Sequence, residues 1–381
     1  MTSHSVPVRV LHVVGAMNHG GVETWLMYVL RNIDRQQLQF DFLVLSAEPG
    51  AYDDEIRALG SRIIVCPHPH NPAWFVPNIW RSLRKWGPYD VIHSHVHHYS
   101  GLILNVAAHL NIPVRIAHSH SDTSNVETGA SSVRKFYLRL MEKWITAYAT
   151  VGSAASRKAA AALWGEQWQT DSRWRLLYCG VDLAPFAGGF TGVKRSVRQE
   201  LRISDQTMIL GHVGGLRPVK NHRFLLQITK ELLNAGIDVA LLLIGDGPLR
   251  SDIVDLATHL SISQHILLAG SRNDVPRLLA AMDVFVFPSL YEGLPVSVIE
   301  AQAAGVPIVL SDTITNEVEI VPGLLTWLSL DETVAVWAQA CMDAYHCERK
   351  VSQPEAYSYV QQSPFTIQRS ILALQQIYGI S

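Results

Sequence analysis

The 381-residue chain has no apolar run approaching the ~18 residues a membrane-spanning helix needs. Its longest apolar runs, such as Val239–Ile244 and Val284–Phe287, have the length of buried strands. Cysteine is scarce: Cys66, Cys179, Cys341 and Cys347 stand far apart, with no CxxC pair. That excludes a disulfide scaffold and a thiolate zinc site, and it fits a reducing cytoplasm. Charge is sparse too, at 17% of residues with a formal net charge of −2, so a dedicated nucleic-acid binder is disfavoured. No low-complexity tract occurs, and 48% hydrophobic residues are too many for a disordered chain. The N-terminal apolar stretch is short and broken by Arg9 and His12, so it does not read as a signal peptide. The expected localisation is cytoplasmic.

Histidine is the plentiful residue: 17 in all, twelve of them at or before His120. Charge is divided as well. Up to Gly180 there are 17 Lys/Arg against 13 Asp/Glu; beyond it, 14 against 20. A basic first half and an acidic second half suit different partners.

A length of 381 residues exceeds one ordinary core, so two domains are expected. Short β-rich runs alternate with helical stretches throughout. Seven strand candidates run from Arg9–Val14 to Trp174–Tyr178, with Ala147–Val151 among them; five more run from Met208–Val213 to Pro307–Leu310. Continuous apolar strands imply parallel sheets covered on both faces, with right-handed crossovers. Both halves open with a strand, a glycine loop and a helix: Gly15 to Gly21 follows the first strand, Gly214–Gly215 the other. The fold class predicted is α/β, with two Rossmann-like doubly wound domains facing a central cleft. The boundaries are 1–183 for the first Rossmann-like domain, 184–206 for a Gly- and charge-bearing linker, 207–363 for the second Rossmann-like domain and 364–381 for a terminal helix. Ligands in such sheets bind beyond the carboxyl ends of the strands.

Three loops there have suggestive chemistry. Gly20-Gly21-Val22-Glu23 opens the first helix; it suits either an anion at the helix start or a tight turn with Glu23 compensating the dipole. It is not GxGxxG, which disfavours a nicotinamide or flavin. Arg217 and Lys220 sit at another helix start, where cations are unfavourable unless a diphosphate faces them; the other reading is that they reach solvent. The segment Phe287–Pro295 ends a strand, carries Glu292, and leads into a helix carrying Glu300. A carboxylate can accept two ribose hydroxyls, and the amides from Gly293 to Val296 can hold a phosphate.

Here the sequence resembles the family 4 glycosyltransferases of the GT-B fold, most of all their bacterial polysaccharide-assembly branch. The shared motifs occur in family order over nearly the whole chain: Gly20-Gly21-Val22-Glu23, Asp90 to His95, Ile116 to His120, Gly180-Val181-Asp182, Lys220-Asn221, Gly245 to Pro248, and Glu292 with Glu300. The resemblance implies transfer from a nucleotide-diphosphate sugar, a UDP-sugar before a GDP-sugar, with retention of configuration and neither cofactor nor metal. Glu300 would bind the donor ribose. Glu292 would contact or position the sugar beside Gly293, Leu294 and Pro295. Lys220, Arg217 and the Gly20-Gly21 loop would face the diphosphate, and Ser271 with Arg272 the base. His118 would stand near the reacting carbon, His120 being the alternative. Glu23, His93 and His95 would line the acceptor side, toward a glycan or lipid-linked acceptor. The terminal helix would cross back onto the first domain.

Two departures stand out: Gly215 replaces a usual arginine, for which Arg217 could substitute, and Cys179 replaces a usual asparagine. The first leaves room for a different reading, a catalytically weak sugar-nucleotide-binding subunit. The run His93-Ser94-His95-Val96-His97-His98 leaves room for another, a metallohydrolase. A glycosidase using the two glutamates is disfavoured, because both carboxylates would have to flank one bond. The basic, aromatic helix 131–148, with Arg134, Lys135, Phe136, Arg139 and Lys143, suits either the inner membrane face or ordinary packing. His68 and His70, in a Pro-rich loop, are assigned no role.

Overall fold

The structure, a computed structural model, describes residues 6–66, 71–120, 131–347 and 351–380. His68 and His70 lie outside them. Two compact units form: Met1–Gly180 together with Ile367–Ser381, and Val181–Thr366.

Unit 1 is built on β1 (Val8–Val14), β2 (Leu38–Val44), β3 (Ile63–Val65), β4 (Val91–Ser94), β5 (Val114–Ser119), β6 (Val151–Ala154) and β7 (Trp174–Leu176). They form one parallel sheet in the order β3-β2-β1-β4-β5-β6-β7. The two-residue period of the strands sorts their side chains onto opposite faces. Leu11, Val13, Ile92 and Ala117 join a large apolar cluster with Phe75, Ile103 and Ile145. The intervening His12, His93 and His118 go to the other face. His12 pairs in register with His93, and His118 with Ser153. Two helices meet that face. Gly21–Asn32 brings Trp25, whose ring centroid lies 5.5 Å from that of His118. Ile367–Tyr378 brings Tyr378, 5.9 Å from His93. The two helices are tied where Trp25 Nε1 donates to Ser370 Oγ at 2.8 Å, and Ser370 Oγ donates to the Tyr178 carbonyl at 3.0 Å.

Unit 2 repeats the plan with β8 (Met208–Val213), β9 (Val239–Ile244), β10 (Ile266–Gly270), β11 (Val284–Phe287), β12 (Ile308–Ser311) and β13 (Leu325–Leu328). The order β10-β9-β8-β11-β12-β13 matches the first six strands of unit 1 and reverses direction between β8 and β11. Such a reversal opens a crevice at the strands' carboxyl ends. Val239–Ile244 is buried along its whole length, as a central parallel strand must be.

Three expectations need correction. Residues Ala147 and Tyr148 end the helix Ser132–Tyr148, and the strand starts only at Val151. β13 was missed, since its mixed, half-exposed LTWL carries no clear period. Residues 184–206 do not form a free linker: they contain the helix Val193–Leu201 and belong to unit 2. Two of their cations are consumed within unit 2. Arg198 donates to the buried Asp283 carboxylate at 2.9 Å, Lys194 donates to its other oxygen, and the Ile209 amide donates at 2.8 Å.

Candidate functional site

In unit 2 the loops after β8, β9 and β10 are laced together by backbone bonds. Gly214 N donates to Ile244 O, Leu216 N to Asp246 O and Gly245 N to Gly270 O, at 2.8 to 3.0 Å. A Cβ at Gly245, where φ is +136°, would strike the Gly214 carbonyl, so glycine is required there. Gly214 serves the lysine. A Cβ on it would lie 2.9 Å from Lys220 Cε, so its bareness lets the Lys220 stem cross the loop. Lys220 Nζ then donates to Glu292 Oε1 at 2.6 Å and sits 4.7 Å from the Phe287 ring centre. The Leu290 amide, donating to Val219 O at 2.8 Å, binds the glutamate loop to the lysine turn. Sequence reasoning placed Lys220 and Glu292 separately; the fold makes them an ion pair.

Gly293, Leu294 and Pro295 lead into the helix Val296–Ala303, whose N-cap is Pro295 with no side-chain cap and no acid in its first turn. Its leading amides are therefore left without a side-chain cap, a setting that favours an oxyanion. Glu300 lies on this helix and is buried. Arg217 is exposed, and its stem passes over Gly215. A Cβ built on Gly215 would be 3.8 Å from Arg217 Nε and 3.6 Å from Asp246 O, ordinary contacts. Arg217 thus lies alongside the space a side chain at Gly215 would enter. Arg272 is committed elsewhere: it donates to Asp274 at 2.7 and 2.9 Å and to Glu200 at 3.1 Å. Arg277 completes that square with 2.6 Å bonds to both acids. Hydrogen bonds from Arg272, then Arg277, hold the Asp274 carboxyl well below the ordinary range. Ser271 is exposed beside it.

In unit 1 the sequence-predicted histidines converge on one sheet face. His93 Nε2 is 3.1 Å from His118 Nδ1; His95 Nδ1 is 2.8 Å from His120 Nε2; His12 Nδ1 is 3.0 Å from His95 Nε2. His93 and His118 are fully buried, and His95 and His120 half-buried. Burial drives all of these imidazoles to low pKa: His12 and His120 from 6.5 to about 3, and His93, His95 and His118 well below it. For His118 the charges of His120 and His93 add to burial, while the backbone at Leu177 opposes them. These rings are neutral at pH 7. Cys179 Sγ lies 3.7 Å from His120 Nδ1, and burial raises its pKa far above the usual thiol value, so it stays a thiol.

Two trios, His12/His93/His95 and His95/His118/His120, bring ligand-capable atoms within 4.8 Å of one another. The nitrogen separations of 2.8 to 3.1 Å are hydrogen-bond lengths. Two imidazoles on one tetrahedral zinc stand about 3.3 Å apart, given Zn–N distances of ~2.0–2.1 Å. Six of the ring nitrogens are spent on each other, while His12 Nε2 and His118 Nε2 have no partner among the described residues. The run His93–His98 is also divided, for His98 turns to Glu142 at 3.3 Å and to His97 at 2.7 Å. Near the first glycine loop, the Glu23 carboxylate lies over Gly20, where a Cβ would strike it, and so occupies the mouth of the first helix. That is the placement expected of a dipole-compensating acid.

Residues 19–185 match the family model described as Glycosyltransferase Family 4, and residues 193–359 the one described as Glycosyl transferases group 1. Over 377 residues the chain is 37% identical to EpsF of Bacillus subtilis, a protein placed by name among the glycosyltransferases, with 98% of this chain and 97% of that one covered. The chain belongs to the family 4 glycosyltransferases. A second relative is the UDP-Gal:α-D-GlcNAc-diphosphoundecaprenol α-1,3-galactosyltransferase of Escherichia coli, 26% identical over 75% of this chain and 78% of that one. The solved structure of HepE from Anabaena, in complex with UDP and glucose, superimposes with a TM-score of 0.81 at 17% identity, covering 98% and 99% of the two chains. The fold of this glycosyltransferase is therefore GT-B.

Three residues beside the candidate site residues escaped sequence reasoning. His212, next to last in β8, donates from Nδ1 to Val286 O at 2.9 Å and leaves Nε2 without a partner among the described residues. His12 holds the equivalent place on β1, and the shared His-Val before the glycine loop was the available signal. Tyr378 had no such signal, because only the tertiary path of the last helix brings it to His93. On the helix Ser132–Tyr148, Leu138, Met141 and Ile145 are buried, while Val133 and Phe136 are 80% and 70% exposed among Arg134, Lys135 and Arg139. Among the described residues no helix is long and apolar enough to cross a membrane.

Proposed function

We propose that this glycosyltransferase moves a sugar from a UDP-sugar to a glycan or lipid-linked acceptor in polysaccharide biosynthesis, with retention of configuration and without a metal. The observation that carries the proposal is the convergence in unit 2 of Lys220, Glu292, the exposed Arg217 and the uncapped helix start at Gly293–Val296. Cations and free amides there answer a diphosphate, and a buried carboxylate on the same helix, Glu300, answers a ribose. The UDP complex of HepE and the lipid-diphosphate acceptor named for the E. coli relative are consistent with this chemistry.

In the proposed reaction the bond between the anomeric carbon and the diphosphate oxygen breaks. Lys220, Arg217 and the helix amides stabilise the charge growing on that oxygen. The acceptor hydroxyl gives its proton to the departing diphosphate oxygen as its own oxygen bonds to the anomeric carbon on the same face. Glu292 positions the sugar and leaves Lys220 when the diphosphate arrives. His118, neutral, contacts a sugar hydroxyl. Arg217 takes the place of the missing arginine at Gly215, so Gly215→Arg should add little to turnover. A large gain from that variant would favour the weak-subunit reading instead. The Val133 and Phe136 face, ringed by cations, would seat on anionic lipid at the inner membrane face.

A thermal-shift screen with UDP, GDP, ADP and their sugars tests the donor assignment, since ligands of the folded state raise its apparent stability. UDP and UDP-sugars should raise Tm, and Lys220→Ala should abolish the rise. A shift confined to GDP or ADP would overturn the choice of base.

A further inference from the structure

The unit 1 histidines form two separate hydrogen-bonded chains. One links His12, His95 and His120 and ends at Cys179. The other begins on the last helix: Tyr378 Oη lies 2.8 Å from His93 Nδ1, and His93 Nε2 lies 3.1 Å from His118 Nδ1. The His93 and His118 rings are nearly coplanar, at 13°. All three residues are buried. His118 Nε2 has no hydrogen-bond partner among the described residues.

A neutral imidazole has one N–H and one lone pair, so the chain can be protonated in only two ways. In the first, the Tyr378 hydroxyl donates to His93 Nδ1. His93 then donates from Nε2 to His118 Nδ1, and His118 has its hydrogen on Nε2. Only that Nε2–H lacks a partner. In the second, every proton is reversed. His93 donates to the Tyr378 oxygen, whose own hydrogen then has no acceptor among the described residues, and His118 Nε2 becomes a bare lone pair. The second arrangement strands two buried polar groups where the first strands one, and each stranded group is costly. A carbonyl, such as that of Leu177 on the His118 ring, also favours an N–H over a lone pair.

We infer that Tyr378 is a positioning residue: acting through His93, it fixes His118 as a neutral Nε2–H donor, so that His118 meets a ligand hydroxyl or carbonyl oxygen as a hydrogen-bond donor and not as a base. The functional part of this statement rests on the sugar-transfer reading above; the tautomer does not. The returning helix is thereby more than a strap, since its last turn sets the chemistry of a strand-end histidine.

Long-range proton–nitrogen correlation spectra of the full chain, labelled at histidine nitrogen and free of ligand, test it. His118, assigned by loss of its signals in His118→Gln, should show a protonated Nε2 and a bare Nδ1. In Tyr378→Phe, which keeps the packing, it should shift to a tautomer mixture. The same variant should lose at least about tenfold in kcat, as disruption of residues that orient a functional histidine typically does, with donor KM little changed. A protonated Nδ1 in the wild-type chain, or an unchanged tautomer in Tyr378→Phe, overturns the inference. Should Tyr378→Phe fail to fold, 3-fluorotyrosine in place of tyrosine retains the hydroxyl and makes it a stronger donor. The His93 Nδ1 signal must then move, and a signal that stays put also overturns the inference. If the wild-type chain transfers sugar from no donor, the sugar-transfer reading falls while the spectra still decide the tautomer.

Discussion

Lys220 and Glu292 illustrate how one residue's role depends on another's side chain. Each is 16% to 18% exposed, and they neutralise each other at 2.6 Å. In the proposed reaction a diphosphate takes the lysine from the glutamate, so the pair would oppose donor binding even as both members would serve transfer. Glu292→Gln should therefore tighten UDP binding several-fold, by about the ~1 kcal/mol of a weakly screened pair, while lowering turnover. Calorimetry with UDP checks the first half and a donor-consumption assay the second. Lys220→Ala should cost about 10²–10³ in kcat, the scale of losing one donor to a developing oxyanion, and Lys220→Arg should recover part. At this scale the sequence was legible in position: Lys220 and Glu292 stand in the loops where they were expected, and Glu300 on the helix that follows. It was silent on pairing. Nothing in the string says that Arg272 is spent on Asp274 and Glu200, or that Glu23 covers Gly20.

Among the elements, the central strands were readable because full burial on two faces leaves an unbroken apolar run, as in Val239–Ile244. The edge strand β13 was not, because half-exposure mixes its residues. The helix Val193–Leu201 was masked by its own charge. Its Arg198 and Lys194 satisfy one buried carboxylate, Asp283, which lies at the head of β11 and also accepts from β8. Asp283→Ala leaves a buried guanidinium unpaired, and should destabilise unit 2 by about 3–5 kcal/mol, the usual cost of breaking such a pair. Urea melts monitored by unit 2 tryptophans would measure it. On the helix Ser132–Tyr148 the exposed Val133 and Phe136 contribute nothing to the core. Replacing both with serine should leave Tm nearly unchanged, as surface substitutions do, and reduce sedimentation with anionic vesicles. Equal sedimentation of variant and wild type would remove the membrane role.

Across the whole molecule, histidine proves to be a buried framework more than a surface supply. His12, His93, His95, His118 and His120 in unit 1, and His212 in unit 2, are all held neutral, and His222 falls to about 4. A folded-state pKa below the unfolded value means that the unfolded chain binds protons first. Stability is then complete above about pH 6.5 and declines as pH falls toward about 3, where His12 and His120 titrate in the fold. Thermal melts from pH 7.5 to 4 should show Tm dropping steeply below 6.5, more so than in a chain with His12→Phe. A flat Tm would show that these rings are not neutral and buried. The central claim, metal-independent transfer with retention by a UDP-sugar enzyme, is tested most directly by proton NMR of the product formed from a UDP-α-sugar after exhaustive chelation. The account predicts the α-anomer at an undiminished rate; a β-anomer, or product only when a divalent ion is restored, would contradict it.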